Sequence, residues 1–220
     1  SGVPIEFYGY VKAEAIYGDS QIGELTQSAP IETGKDQQEF MLTAKDARIG
    51  FNVGGPSIGD DGKVSGKIEA DFWGNTTDAT TTSTLRIRQA YVETKFPSWS
   101  VLAGQSWDFF APLNPSTLNL AMLWRSGNMG DRHPQVRLTN TVCDFLGGKL
   151  TSQIGALDSK TDDAAHTGKP MFAMFESFDD KFFGQPLFLG VGGFIGQSDI
   201  SSTNNSNVEM WALTLALKYN

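Results

Sequence analysis

Residues 207–219 read NVEMWALTLALKY. Trp211, Leu213, Leu215, Leu217 and Tyr219 occupy every second position, with Ala212, Thr214, Ala216 and Lys218 between them. Side chains two apart share one face of an extended chain, so the stretch predicts a strand with a bulky apolar face and a small or polar one. A helix would scatter the same residues around its circumference.

The same period recurs upstream. Strands are expected over residues 5–17, 46–53, 63–73, 85–91, 99–106, 135–142, 149–157, 170–177 and 186–196. In 5–17, Phe7, Val11, Ala13, Ala15 and Tyr17 oppose Glu6, Lys12 and Glu14. In 63–73, Val64, Ile68, Ala70 and Phe72 oppose Lys67, Glu69 and Asp71. With 207–219 this gives about ten strands. Only 116–124 could form a short helical turn, because Gly and β-branched residues interrupt every other helical stripe.

Connection lengths are sorted by parity. Residues 18–37, 74–84, 107–134, 158–169 and 197–206 are long or polar. Between them lie the tighter GGPSIGDDG, KFPSWS, CDFLGGK and SFDDKFFGQ. Short turns at one end and long loops at the other are the signature of a transmembrane β-barrel, whereas a soluble sandwich has no reason to sort them. Aromatics near strand ends, among them Phe72, Trp73, Phe96, Trp99, Phe178 and Tyr219, suit interfacial girdles and also ordinary strand-end packing.

Arg48, Arg86, Arg88 and Arg137, with Lys12 and Lys67, project opposite the apolar residues, on the side that also carries Glu14, Asp46, Glu69 and Asp71. A water-filled lumen accommodates such a face, which a dry core would accept only fully paired. The arginines could form a structural ladder with those carboxylates or present planar forks to a solute's oxygens. Residues 107–134 contain Trp107, Phe109, Phe110, Leu113 and Trp124, too apolar to stay solvated. Folded inward, the segment would form a constriction loop, with Trp107, Asp108 and Trp124 in it and Arg125 and Arg132 carried toward the wall.

Composition narrows the remaining classes. The net charge of −8 argues against nucleic-acid binding, and one cysteine, Cys143, excludes an intrachain disulfide framework. No apolar run is long enough for a membrane helix. The acidic pairs in GGPSIGDDG and DSKTDDAAHTG lack the spacing of a calcium loop. His133 has Ser126 as its nearest serine but no nucleophile motif around it, and no phosphate loop or dinucleotide fingerprint occurs, so neither catalysis nor a cofactor is expected.

The blocks FYGYVKAEAIYGD, LTAKDARIGFNV, KIEADFWGN, LRIRQAYVE, VLAGQSWDFFAPLNPSTLN and RHPQVRLTN, in that order, resemble Gram-negative outer-membrane porins of the DcaP-like family. The resemblance is specific over residues 7–140 and looser to Asn220. It implies an all-β, antiparallel sixteen-stranded barrel with an inward-folded loop, assembled as a homotrimer among outer-membrane lipid and passing small anionic solutes such as dicarboxylates. LRIR carries the match at Arg86 and Arg88, ARIGF at Arg48.

About ten strands fall short of sixteen, so the chain reads as part of a longer barrel domain, with a complete small barrel as the other reading. The pattern of a secretory leader is missing, which fits a mature chain. The functional expectation is a passive channel. A non-transport barrel acting as an adhesin, and a soluble β-sandwich or lectin, are the competing classes.

Overall fold

The structure is a computed structural model that describes residues 3–19, 38–74, 83–114, 130–159, 168–199 and 207–219. Among these residues the chain forms only strands: β1 (Ile5–Tyr10), β2 (Glu14–Gly18), β3 (Glu39–Thr43), β4 (Arg48–Ile58), β5 (Gly62–Asp71), β6 (Arg86–Lys95), β7 (Trp99–Trp107), β8 (Arg132–Phe145), β9 (Gly148–Leu157), β10 (Met171–Phe182), β11 (Gln185–Asp199) and β12 (Asn207–Tyr219). Ten of them are ordered β1-β4-β5-β6-β7-β8-β9-β10-β11-β12 in one sheet, and β2 pairs with β3 separately. The all-β expectation holds. The possible helical turn at 116–124 lies outside the described residues.

Two strands exceed the expected ten. The alternation read as one strand over 5–17 is broken between Tyr10 and Glu14, and EFMLT at 39–43 pairs with the second piece, Tyr17 opposite Phe40. The short connections are tighter than the sequence suggested. β8 and β9 are joined by Leu146 and Gly147 with φ of 51° and 89°, and β10 and β11 by Phe183 and Gly184 with φ of 51° and 80°. Positive φ at both central residues is the two-residue turn whose twist matches the flanking strands.

The chain divides into two compact units, Ser1–Val53 with Lys67–Ala90 and Asn114–Met129, and Gly54–Gly66 with Tyr91–Leu113 and Gly130–Asn220. In the first, β1 runs antiparallel to β4 and sets Phe7 against Phe51, ring centroids 5.4 Å apart. Phe7, Phe51, Ile68 and Ile87 are all exposed, while Glu69, Asp71 and Arg88, on the alternate positions, are buried.

The second unit shows the same inversion in register. Val136, Ala156, Phe172, Ile195 and Trp211 form one row across β8 to β12, and Val136, Phe172, Ile195 and Trp211 are 57%, 56%, 64% and 76% exposed. The neighbouring row, Arg137, Gly155, Ala173, Phe194 and Ala212, points to the opposite face. There Phe109, Phe110 and Ala111, from the segment after β7, are buried against Leu157, Met171, Phe175 and Ala216. The Phe110 ring lies 4.9 Å from that of Phe194. Gly190 and Gly192 leave the room Phe175 fills, since a Cβ at either would meet its ring.

Candidate functional site

In the first unit, β5 and β6 hold an ion-pair lattice. Arg86 donates from Nε to Asp71 Oδ1 at 3.0 Å and from Nη2 to Asp71 Oδ2 at 2.7 Å, a bidentate fork. Arg88 bridges two acids, with Nη1 2.7 Å from Asp71 Oδ2 and Nε 3.1 Å from Glu69 Oε1. Tyr8 Oη donates to Glu69 Oε2 at 2.9 Å, and Arg48 Nη1 stands 3.7 Å from Glu69 Oε1 with its guanidinium over the Tyr10 ring. Of the two roles open to these arginines, the ladder geometry is present for Arg86 and Arg88. Asp71 is almost fully buried, and a carboxylate in that position is tolerable only because two guanidiniums meet it.

A second lattice sits where the alternation breaks. Lys12, in the gap between β1 and β2, lies 2.7 Å from Glu14 and 3.4 Å from Asp46. Trp73 Nε1 donates to Asp46 Oδ1 at 2.7 Å, and Lys45 Nζ lies over the Trp73 ring at 5.0 Å. Trp73 therefore reaches the charged face through its indole N–H. A buried indole N–H takes an acceptor when one is in reach.

In the second unit, the connection that follows β7 is clasped at its base. Asp108 N donates to Asp131 O at 2.9 Å, and Asp131 N donates back to Asp108 Oδ2 at 2.7 Å. His133 Nδ1 faces the same carboxylate, 2.9 Å from Oδ1 and 3.0 Å from Oδ2. Arg132 Nε reaches Asp131 Oδ1 at 3.4 Å and lies over the Trp107 ring at 4.9 Å. Gln135 Nε2 donates to the carbonyls of Ser106 and Trp107. Trp107, Asp108 and Arg132 are thus brought together, as a neck. Trp124 and Arg125 lie outside the described residues.

Arg137 is placed differently. Its guanidinium lies over the Phe109 ring at 5.6 Å, its Nε is buried without a hydrogen-bond partner, and it makes no ion pair among the described residues. Gly155, beside it on β9, makes this seat possible: a Cβ there would come 3.0 Å from Phe109. Sequence reading marked Arg48, Arg86, Arg88, Arg132 and Arg137 but missed the Asp108–His133 pair, whose members stand 25 positions apart with no periodic signal linking them.

No family model and no curated relative matches the chain. Among solved structures, the outer membrane channel DcaP of Acinetobacter baumannii superposes with a TM-score of 0.56 at 23% identity, covering 99% of this chain and 74% of that one. A loop-deletion mutant of OmpT, an outer membrane protein of Vibrio cholerae, gives 0.43 at 12% identity, covering 100% and 78%. With its exposed apolar rows and buried charged face, this chain is similar in fold to the outer membrane channel DcaP.

Proposed function

We propose that the chain forms the wall of an outer-membrane porin that lets small hydrophilic solutes diffuse through a water-filled lumen. The observation that carries this reading is the inverted burial. Leu213, Leu215 and Leu217 are 67%, 77% and 69% exposed, while Glu69, Asp71 and Arg88 are buried. Contiguous apolar faces of that extent are ruinous in water and ordinary against lipid. Outer-membrane lipid is then the partner of the apolar rows, and a homotrimer the assembly.

Anionic, dicarboxylate-like solutes are the proposed cargo. Arg137 supports this, since it is a cation on the polar face with no ion pair of its own among the described residues. Stacking on Phe109 fixes the guanidinium plane and leaves its fork to engage a carboxylate transiently. Arg48, Arg86, Arg88 and Arg132 add positive potential to the wall, and Arg125 would extend it from the constriction loop. Binding must stay weak enough for release, as in any conducting pore.

Planar-bilayer recordings in a salt gradient test the proposal. Wild-type protein should give ohmic channels with an anion-selective reversal potential, and Arg137→Gln should move that potential toward zero. Absence of conductance would sink the porin reading. An unchanged reversal potential in Arg137→Gln would remove the role assigned to that arginine.

A further inference from the structure

A cavity of about 720 Å³ opens at the short-turn end of β8 to β12, far along the strands from Arg137. Its floor follows a single cross-strand row: Lys149 stands opposite Asp179, Asp179 opposite Phe188, and Phe188 opposite Lys218. Residues directly opposite share a face, so the row alternates cation, anion, aromatic ring and cation. Lys181, two positions beyond Asp179, adds a third ammonium.

The fourth wall is a β-bulge. Val142 pairs with Leu150 and Phe145 with Gly148, so Cys143 and Asp144 together oppose Lys149. Asp144 takes a φ of 60°, which aspartate tolerates better than most residues, and lines the cavity. Leu113 closes the apolar side beside Phe188.

The charges here differ from the ion-pair lattices of the first unit. None of Lys149, Lys181 and Lys218 has a carboxylate within 4.0 Å among the described residues, and neither Asp144 nor Asp179 has a cation. Charges of both signs thus flank the Phe188 ring. Asp180 also lines the cavity, so three ammoniums meet three carboxylates. A simple anion would use the lysines and meet repulsion from the carboxylates, and a simple cation the reverse.

We propose that this cavity binds a zwitterion with an apolar body, an α-amino acid or short peptide. Its carboxylate would lie between Lys149 and Lys218, its ammonium on Asp179 and Asp144, and its side chain on Phe188 and Leu113. The site is separate from Arg137 and does not depend on the conduction reading.

Equilibrium dialysis of tritiated L-phenylalanine against the detergent-solubilised chain tests it, with 3-phenylpropanoate and phenethylamine as competitors. Each competitor keeps the ring and lacks one charge. Saturable phenylalanine binding is expected, with both competitors about tenfold weaker, the worth of one charge-assisted contact. Lys149→Ala and Asp179→Asn should each weaken binding by a similar factor, and Lys149→Arg should retain it. Circular dichroism of each variant confirms that the strands persist. The proposal is overturned if phenylalanine does not saturate, if 3-phenylpropanoate competes as well as phenylalanine, or if both variants bind like wild type.

Discussion

Asp108 and His133 share one contact that closes a long excursion of the chain. The imidazole Nδ1 is equidistant, within 0.1 Å, from the two oxygens of a carboxylate whose side chain is fully buried. Because Asp108 also accepts the Asp131 amide, one side chain ties the entry of the segment to both its exit and β8. Asp108→Ala should leave that amide and the imidazole without their acceptor, at about 1–3 kcal/mol for each buried group orphaned. Hydrogen exchange at Asp131 should accelerate while exchange in β10 and β11 stays unchanged. Uniform acceleration would mean the pair holds the whole unit and is no local clasp.

Asp71 draws on both Arg86 and Arg88, so its removal and theirs are unequal. Arg88→Ala strips a cation from two buried acids and should destabilise by about 3–5 kcal/mol, the usual cost of breaking a buried pair from one side. Arg86→Ala should cost less, because the Arg86 side chain is the more exposed of the two. Urea unfolding in lipid vesicles, followed by tryptophan fluorescence, orders the two variants.

Leu215 separates a membrane wall from a soluble sheet. Arginine in its place should cost about 2–4 kcal/mol if the residue lies near the bilayer midplane. An equally exposed leucine in water would change stability by no more than about 0.5 kcal/mol on the same substitution. Urea titration of Leu215→Arg in vesicles gives the difference, and a near-neutral result would contradict lipid contact at this position.

Leu146 sits with a φ of 51° at the first central position of its turn, where asparagine fits with less strain. Leu146→Asn should raise the urea midpoint, by up to about 1 kcal/mol in stability. A fall would show that the exposed leucine makes an apolar contact worth more than the backbone strain it bears.

Most of the architecture was legible because it rests on a local rule. From β4 to β12 each strand carries its two faces in its own alternation, and the Leu146–Gly147 and Phe183–Gly184 turns lie inside segments already marked as tight. What escaped was non-local. At the break after Tyr10, Lys12 meets Asp46, 34 positions away, and nothing in FYGYVKAEAIYGD marks it. Strand β3 exists because it finds β2, across residues whose alternation alone is too short to read. Trp73 was visible near a strand end, but its hydrogen bond to Asp46, 27 positions away, was not. The arginines were visible as a set, but which of them would be neutralised depended on pairings that only the fold reveals.

For the proposed porin, the alternation of faces also bears on how the chain would reach the membrane. Strands such as β8 and β12 interleave exposed apolar residues with small or polar ones, so mean hydropathy stays at −0.24 and, among the described residues, no helix is long and apolar enough to cross a membrane. An extended, unpaired chain of this kind can be threaded across one membrane without lodging in it. Its affinity for lipid arises only when neighbouring strands align and their separate apolar positions merge into rows such as Val136 to Trp211. Membrane compatibility is thus a property of the assembled sheet and absent from every strand taken singly.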